Sequence, residues 1–506
     1  MNTQEEQKSQ ESQNLPDAPA EQNPQDARAI AEPGFRNSLL QFLFGFRRTL
    51  DANDTDSLGI MYKKVLTIAW PAALEGLLMT LMNSFDTMMV GTLGSAAIAS
   101  VGLCAQPRMI MLLVAQSLCT GTTAVVARRK GAGDHEAALS CMKQSLVVIT
   151  GIGILMTVLG YILAEPLLRL AGAGEDTLEN GIIYFRTISM AFIPNCWSLC
   201  ICAAMRGIGK TRITMVVNLT ANIVNVFLNY CLIGGHFGFP AWGVRGAAVA
   251  TAIGTCTASV VAIIVVMKKG GYLSLRPFTR FKFDRYTLHS LVTVGSGTIA
   301  ESVFMRIGFL LNGKLIAGIS TAAYATTQIV QQVSALTFTL GDGISSACTS
   351  LVGQSLGANM KNKAKTYVKV GQRISIFMSI GIMLFAFFGR HWLPTLFTDE
   401  PDIIYAAGIC FVVLLVGIYP QNQRVMVAGC LRGAGDVRYV ALVSLVSVAI
   451  LRPLTTWFFC YPMNGWFPAL MLGYIGSWIS FDVDALVRAA MLRHRINKGE
   501  WVNIRL

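Results

Sequence analysis

Charged residues are scarce in this chain of 506 residues. Asp, Glu, Lys and Arg make up 14% of it, against roughly 25% in ordinary globular domains, whereas hydrophobic residues reach 53%. A chain with so little charge cannot give several soluble domains a solvated surface. The composition therefore places most of the chain in a lipid bilayer.

Motifs for metal binding, disulfide pairing and nucleotide binding are also missing. The five histidines are scattered in or near loops, and the twelve cysteines sit mostly in apolar segments without any C-x-x-C pair. Residues 207–211 are similar to a phosphate-binding loop, but Ala204 replaces the first glycine of that motif. We therefore expect buried cysteines, no metal centre, no cofactor and no enzyme activity.

The N-terminal segment has no apolar core of the kind found in a signal peptide, since residues 1–33 are rich in Gln, Asn, Asp, Glu, Ala and Pro. We expect residues 1–60 to be a disordered cytoplasmic tail, because little apolar area is available to offset the chain entropy. Residues 39–50 combine Leu and Phe with two arginines. They fit either a surface-lying amphipathic helix or a loosely ordered approach to the membrane.

Twelve apolar stretches of about 20 to 28 residues follow, and each is long enough to cross a hydrocarbon core of about 30 Å. Their approximate bounds are 62–90, 97–126, 139–163, 179–204, 213–232, 244–267, 288–313, 323–352, 365–389, 403–430, 438–460 and 466–489. The first stretch contains Pro71, which removes a backbone hydrogen bond and permits a bend.

Basic residues fall in every second connection between these stretches. Residues 128–130, 268–285 and 361–365 are examples, whereas the connections between them hold at most one Lys or Arg each. Because cytoplasmic loops carry the excess of Lys and Arg, the pattern predicts a multi-pass protein of the cell membrane with both termini in the cytoplasm. The net charge of +13 then faces the anionic inner leaflet of the lipid bilayer, and we expect no nucleic-acid partner.

The chain repeats itself at a constant offset of 226 residues: Glu75 recurs as Glu301, Gly131 as Gly357, and the R-G-x-G-x-x-R run at 206–212 as that at 432–438. Each half holds six stretches, an even number, so both halves run through the membrane in the same sense. We predict an all-α membrane protein of about twelve transmembrane helices, in two six-helix lobes related by a pseudo-two-fold axis along the membrane normal. The predicted lobes are 61–267 and 288–490, with a cytoplasmic loop at 268–287 and a basic cytoplasmic tail at 491–506.

Ionisable side chains inside transmembrane helices are costly and are functional candidates by default. The clearest are Glu75, Asp86, Arg108, Glu301, Arg306, Arg424 and Arg452. A carboxylate at the depth of Asp86 can exchange a proton or hold a cation. It could also lie at the wet outer end of its helix without any role in coupling.

The fifth stretch carries polar side chains on a single face. Thr214, Asn218, Asn222, Asn225 and Asn229 follow one another at spacings of four, four, three and four. Such a stripe is unlike a lipid-facing surface. Its amides would either line a water-filled cavity, where their carbonyl oxygens suit a hard cation, or join neighbouring helices by hydrogen bonds.

Short motifs along residues 61–490 resemble the multidrug and toxic compound extrusion (MATE) family of the polysaccharide and drug flippase superfamily. They are D-T-M-M-V-G at 86–91, G-A-G-D at 131–134 with its echo at 357–359, the doubled R-G-x-G-x-x-R, N-V-F-L-N-Y at 225–230 and the glycine- and alanine-rich run at 243–251. The resemblance implies a V-shaped pair of lobes that exports amphipathic, often cationic small molecules in exchange for Na⁺ or H⁺. We expect it to act as a monomer.

By position, the resemblance implies a cation-coupling site at Asp86, Asn225, Asn229 and Thr251, with Na⁺, if it is the coupling ion, held at the first three. Asn229 stands where some members carry a second Asp, so the choice between Na⁺ and H⁺ stays open. The secondary candidates are Asn218, Asn222, Glu75, Glu301 and Gln421.

The second half departs from the family pattern. Met305 and Gln421 occupy the positions of acidic residues in one branch; Glu301 lies one turn from Met305 and would either substitute for it or pair with Arg306. The counterpart of Asp86 in the second half is Asn312, which carries no charge. We therefore expect the coupling ion to bind in the first half. The alternative within the superfamily is a lipid-linked precursor flippase, which would need the arginines to ring the cavity and bind pyrophosphate.

Overall fold

A computed structural model of the chain describes residues 29–30, 45–46, 48–51, 54–276, 283–461 and 473–504. The first half contains β1 Ala29–Ile30, β2 Arg48–Thr49, α1 Leu58–Gly91, α2 Ser95–Gly131, α3 His135–Ile162, α4 Ala164–Leu170, α5 Glu175–Met190, α6 Phe192–Gly207, α7 Thr211–Gly234 and α8 Gly243–Met267. The second half contains α9 Arg285–Ala317, α10 Thr321–Gly357, α11 Lys361–Gly389, α12 Pro401–Ala434, α13 Val437–Ser444, α14 Arg452–Cys460 and α15 Gly473–Lys498.

Shorter elements complete these two halves. A π-helix, Leu445–Leu451, joins α13 to α14, and 3₁₀ turns occupy His236–Gly238, Pro394–Leu396 and Glu500–Asn503. The strands β1 and β2 pair antiparallel over two residues each.

The predicted helices are confirmed. In the described residues, nine helical segments are long and apolar enough to cross a membrane, and α5 with α6, bent by 48°, makes a tenth. The long helices α10 and α15 coincide with the eighth and twelfth predicted stretches, although residues 466–472 of the latter lie outside the described residues. The twelve-helix, two-lobe fold class predicted from the sequence is therefore correct.

The repeated R-G-x-G motif ends a helix in the same way in both halves. Gly209 and Gly435 have φ of +80° and +89°, a backbone region that favours glycine. Just after each glycine, Lys210 N–H donates to Met205 O at 2.9 Å and Asp436 N–H donates to Leu431 O at 2.8 Å. The motif is thus a structural stop that reverses the chain before the next helix.

Side-chain packing follows the repeat as well. Thr123 Oγ1 of α2 donates to Ala203 O at 3.0 Å, and its counterpart Thr349 of α10 donates to Gly429 O at 2.8 Å. Each hydrogen bond fixes the second helix of its half against the fourth span. All twelve cysteines are free and eleven are buried, as expected for small apolar side chains.

The halves meet at the end of the bundle that carries residues 128–130, 268–269 and 361–365, which we call the basic end. Ser350 and Gln354 of α10 both donate to the carbonyl oxygen of Gly207, each at 2.9 Å. Gly131 of α2 and Gly357 of α10 lie so close that a Cβ on either would overlap a backbone oxygen of the opposite half. These contacts bring α2 and α10 together and close the basic end.

Helix α1 contributes to both halves. Its first three turns, including Leu58, Met61 and Val65, are buried among residues of α10, α11 and α12 and the C-terminal Trp501. Beyond Pro71 the same helix lies against α7 of its own half. The basic end of α1 is therefore part of the core of the second half.

The segment before α1 is attached to the start of α11. Both carboxylate oxygens of Asp51 accept from backbone N–H groups of α11, that of Asn362 at 3.3 Å and that of Lys363 at 2.8 Å. The Lys363 side chain binds Asp54 at 3.0 Å and Asp56 at 2.7 Å. The predicted disordered tail is therefore wrong for these residues, because their carboxylates pair with a helix N-terminus and a lysine.

Other parts of the predicted tails have separate outcomes. Residues 39–44 and 47, most of the possible amphipathic helix, lie outside the described residues. At the other end of the chain, α15 continues to Lys498 and Trp501 is fully buried. Much of the predicted C-terminal tail is therefore packed on the bundle.

Candidate functional site

A cavity of about 610 Å³ lies between the two halves. Its walls come from α1, α2, α5, α6, α7 and α8 of the first half and from α10 and α12 of the second. The lining contains three carboxylates, Glu75, Asp86 and Asp342, and three guanidiniums, Arg108, Arg206 and Arg432. The contacts of Ser350 and Gln354 with Gly207 lie next to the cavity on the side of the basic end.

The four residues of the predicted coupling site come together on one wall. Asn229 Nδ2 donates to Asp86 Oδ1 at 2.7 Å. With its amide oriented to satisfy its neighbours, Asn225 donates to both Asp86 oxygens, at 3.0 and 3.1 Å, and accepts from the backbone N–H of Thr251 at 3.1 Å. Asp86 is thus held by two amides of α7, and α8 orients one of them.

The same wall retains a free acceptor. Oδ1 of Asn229 is buried and has no hydrogen-bond partner among the described residues. Since a buried carbonyl oxygen is costly without a donor or a cation, this atom is a candidate oxygen ligand in addition to the carboxylate of Asp86. Tyr184 of α5, a residue that the sequence did not indicate, also lines the cavity.

The polar stripe of α7 both lines the cavity and joins neighbouring helices by hydrogen bonds, the two alternatives that the sequence left open. Asn218, Asn222 and Asn225 line the cavity, whereas Asn218 and Asn229 also hydrogen-bond to carboxylates of α1. The bonded partners on the two helices stand either 143 or 139 positions apart in the sequence, a difference of one helical turn. Helices α1 and α7 therefore run parallel in one fixed register, which carries the polar stripe along the cavity wall.

Glu75 lies at the other end of that stripe. It accepts from Thr214 Oγ1 at 2.8 Å and from Asn218 Nδ2 at 2.6 Å, and Arg206 Nη1 lies 3.7 Å from Oε1. About 16 Å of helical rise separates it from Asp86. The cavity wall thus has two separate carboxylates, Glu75 and Asp86. Side chains of α7 donate hydrogen bonds to each of them.

Glu301 has a different partner from the one expected. It does not pair with Arg306 in the structure but accepts two hydrogen bonds from Arg432, at 2.6 and 3.2 Å. Arg432 is the counterpart of Arg206 at the offset of 226, so Glu75 with Arg206 and Glu301 with Arg432 are the same pair in the two halves. Sequence proximity suggested Arg306, but the helix that ends in R-G-x-G supplies the guanidinium.

Asp342 of α10 is a cavity residue that sequence reasoning missed. Its side chain is exposed within the cavity, where it interacts electrostatically with Arg432. It stands inside the eighth predicted stretch. The rule that singled out Glu75 and Asp86, an acidic residue inside an apolar helix, would also have found it.

Gln421 lies away from the cavity, in the interior of the second half. Its Oε1 accepts from Arg424 Nε at 2.6 Å, and the Arg424 guanidinium lies 5.1 Å from the ring centre of Phe338. Arg452 is buried between Phe309 and Phe481. These arginines are held inside their half by polar and aromatic contacts.

Two further buried acids of α15 were also missed. Asp484 forms an ion pair with Arg488 and accepts from Ser447 of the π-helix. Asp482, two residues earlier, is buried as well. Both lie in the twelfth predicted stretch, so the same rule would have indicated them.

The arginines do not form the ring that a flippase of lipid-linked precursors would need. Of the four candidates only Arg108 lines the cavity, while Arg424 and Arg452 are buried elsewhere and Arg306 is exposed. The other cavity arginines, Arg206 and Arg432, face carboxylates. Among the described residues, no group of three His, Cys, Asp or Glu side chains is placed to hold a metal ion.

Comparisons with known proteins agree with this architecture. The family model described as MatE matches residues 71–231 and 298–458, one match in each half. The chain is 26% identical over 443 residues to a probable multidrug resistance protein NorM of Thermotoga maritima, covering 87% of this chain and 93% of that protein. It is 29% identical over 408 residues to the multidrug resistance protein PmpM of Pseudomonas aeruginosa, covering 78% and 85% respectively.

A solved structure supports the fold independently. It is described as the outward-facing conformation of a multidrug resistance MATE family transporter of the MOP superfamily, and it aligns with a TM-score of 0.79 at 22% identity. The alignment covers 87% of this chain and 97% of that one. This likeness concerns the arrangement of the helices.

Proposed function

Because the chain belongs to the MatE family of membrane transporters, we propose that it is a secondary antiporter that exports amphipathic, cationic small molecules in exchange for H⁺ or Na⁺. The observation that carries the proposal is the position of Asp86. Its carboxylate lies on the wall of the central cavity, in contact with Asn225 and Asn229. An ion bound there shares its space with whatever occupies the cavity.

The proposed orientation places the basic end in the cytoplasm, following the excess of Lys and Arg in its loops. Both termini would then be cytoplasmic. With the halves in contact at that end, the arrangement corresponds to a cavity closed to the cytoplasm. Its occupant would leave on the opposite side.

The charge of the cavity suits a cationic substrate. The lining carboxylates and guanidiniums are equal in number, and Glu301 adds one more carboxylate through its pair with Arg432. These seven groups, four carboxylates and three guanidiniums, therefore carry one net negative charge. Met79, Leu112 and Leu199 add apolar area to the same lining, which suits substrates with an aromatic or aliphatic body.

Exchange follows if ion and substrate prefer different arrangements of the halves. The Asp86 carboxylate and the free carbonyl oxygen of Asn229 would hold a proton or Na⁺ when the substrate has left. A ligand changes a conformational equilibrium only by its differential affinity for the two states. Ion binding at Asp86 would thus favour one conformational change of the substrate-free protein. The basic end, which is closed in this structure, would open to the cytoplasm.

The test is transport of a fluorescent cation such as ethidium by the full chain in sealed proteoliposomes. Either a proton gradient or a Na⁺ gradient is imposed, and the two arms identify the coupling ion. We expect Asp86→Asn to reduce gradient-driven transport to the level of empty vesicles, because the neutral amide cannot hold either ion.

Asp399→Asn is the matched control, since Asp399 is an exposed acid outside the cavity lining. It should transport like the wild type. Wild-type rates in Asp86→Asn would remove Asp86 from the mechanism. Dye movement by the wild type that neither gradient drives would contradict antiport.

A further inference from the structure

A second large opening lies on the outer side of the second half, away from the central cavity. It has a volume of about 570 Å³ and runs between α11, α12 and α15. Its lining combines apolar side chains with three cations, Lys369, Arg373 and Arg493, and none of its thirteen described residues is acidic. We call it the basic groove.

Two of the three cations of the basic groove contact one aromatic ring. Phe46, from the segment before α1, lies 5.6 Å from Lys369 Nζ and 5.2 Å from Arg373 Cζ, measured from its ring centre. Such contacts attract the cations to the ring and restrict two flexible side chains. The groove thus presents positive charge in a defined place.

The polarity of the basic groove changes along the helix axes. Arg493 stands near the end of α15, at the basic end of the bundle, and is exposed. Ile376 and Leu486 line the groove further from that end. An occupant therefore needs an anionic group at one end and an apolar body that extends into the membrane.

The fold does not require this charge. At the offset of 226 residues, Lys369 has a counterpart in Lys143, but the counterparts of Arg373 and Arg493 are Val147 and Met267. The two halves share their helix arrangement, yet only one of these three positions is cationic in the first half. The charge is thus a separate property of this surface.

We propose that the basic groove binds an acidic phospholipid of the inner leaflet, with the headgroup phosphate at Lys369, Arg373 and Arg493 and the acyl chains along Ile376 and Leu486. The choice of leaflet rests on the orientation given under the proposed function. Basic pockets between transmembrane helices on the cytoplasmic side suit lipids of this kind. The bound lipid would also hold Phe46, and with it the segment that caps α11.

The test uses the purified full chain and native mass spectrometry, with phosphatidylglycerol and phosphatidylcholine of the same acyl chains. The wild type should retain phosphatidylglycerol and lose phosphatidylcholine. The double variant Lys369→Gln with Arg493→Gln should retain about ten- to thirty-fold less phosphatidylglycerol, from about 1 kcal/mol for each lost charge.

Lys269→Gln is the matched control, because Lys269 is an exposed lysine of the basic end outside the groove. It should bind phosphatidylglycerol like the wild type. A photoactivatable phosphatidylglycerol should label peptides that contain Ile376 or Leu486. Both substituted residues are exposed, so their replacement should not disturb the fold. The single variant Lys369→Arg keeps the charge and should retain phosphatidylglycerol like the wild type, which separates binding from misfolding.

Four results would overturn the proposal. Equal retention of the two lipids by the wild type would exclude selection for the anionic headgroup. Equal loss of phosphatidylglycerol in Lys269→Gln would reduce the effect to general surface charge. Photolabelling directed elsewhere, or full competition by glycerophosphoglycerol without acyl chains, would exclude a lipid in the groove. None of these measurements depends on transport, so they are separate from the Asp86 test.

Discussion

Glu301 and Arg432 form a two-point ion pair, with hydrogen bonds of 2.6 and 3.2 Å, whereas their counterparts Glu75 and Arg206 lie 3.7 Å apart. The difference arises from the neighbouring helix. Thr214 and Asn218 donate to Glu75, whereas the positions 226 residues later are Val440, which has no side-chain donor, and Ser444, which has a shorter side chain than Asn. The duplicated pair is therefore a tight structural bond in one half and a looser, shared site in the other.

Glu301→Gln should destabilise the protein strongly. Removing one partner of a largely buried pair leaves Arg432 with Asp342 as its remaining nearby countercharge, at a cost near the low end of about 3–5 kcal/mol. Glu301 is buried and Arg432 is largely so. Thermal unfolding of the purified protein in detergent measures the effect.

The exposed pair of Glu165 and Arg169 provides the comparison, since its ion pair of 2.9 Å lies on the surface. Glu165→Gln should change stability by less than about 1 kcal/mol. Restoration of stability in the double variant Glu301→Gln with Arg432→Gln would support the pairing. Equal unfolding temperatures for Glu165→Gln and Glu301→Gln would contradict it.

Asn229→Ala should lower ion-driven transport much more than Asn222→Ala. Both residues belong to the stripe of α7, but only Asn229 donates to Asp86. That hydrogen bond holds the carboxylate in place, and loss of a hydrogen bond to a charged group costs about 1.5–3 kcal/mol. Ion dependence of dye transport in proteoliposomes gives the comparison. Equal loss in the two variants would mean that the stripe acts only through its polarity.

Gly131→Ala should disturb the closed basic end. The added methyl group would overlap the carbonyl oxygen of Gln354, so α2 and α10 would have to separate. We expect lower thermal stability and faster labelling of a cysteine introduced at Gln354. Gly151→Ala is the control, because a Cβ at Gly151 meets nothing within 4 Å. Unchanged labelling in Gly131→Ala would contradict the close contact between the halves.

The ion pairs of the segment before α1 should respond to pH only outside the neutral range. Burial raises the pKa of Asp56, but hydrogen bonds from Lys363 and Lys64 outweigh it and hold the pKa below the ordinary 3.8. Burial also lowers the pKa of Lys363, yet Asp56 and Asp54 raise it above 10.5.

The sign follows from these two directions. The contribution of Asp56 is present above about pH 4 and is lost as the pH falls through its lowered pKa. That of Lys363 is present below 10.5 and is lost as the pH rises through its raised pKa. The stability difference between the wild type and Asp56→Asn should therefore be constant from about pH 5 to 9 and decline below about pH 4, as the pH falls through the lowered pKa of Asp56.

Thermal unfolding across this pH series gives the measurement, with Glu179→Gln as the control variant, since Glu179 is exposed on α5. That control should differ from the wild type at no pH. A difference for Asp56→Asn that changes between about pH 5 and 9 would contradict the assignment, because neither group titrates there.

The helices could be predicted from the sequence because each apolar stretch is a local property of the chain. The contacts of Asp86 with Asn225 and Asn229 agree with a cluster predicted from the stripe and the family resemblance. The partner of Glu301 could not be predicted, because Arg432 lies 131 residues away and only the folded chain brings it near. Asp342 was missed although it is an acidic residue inside a predicted apolar helix, which the sequence alone shows.

The attachment of the segment before α1 also escaped prediction. Its composition is polar, and polar composition indicates disorder when no partner is known. The partners of Asp51 are backbone N–H groups of α11, more than 300 residues later in the chain. Neither charge nor periodicity near Asp51 reveals such a long-range contact.

The division of α1 between the two halves has a mechanical consequence. If the halves separate at the basic end, the first three turns must either leave the second half or stay with it while the helix bends near Pro71. A pair of spectroscopic probes on α1, one on each side of Pro71, distinguishes the two cases. A constant distance between the two probes would mean that α1 leaves the second half as a straight helix. A shorter distance would mean that α1 bends near Pro71 while its first turns stay in the second half.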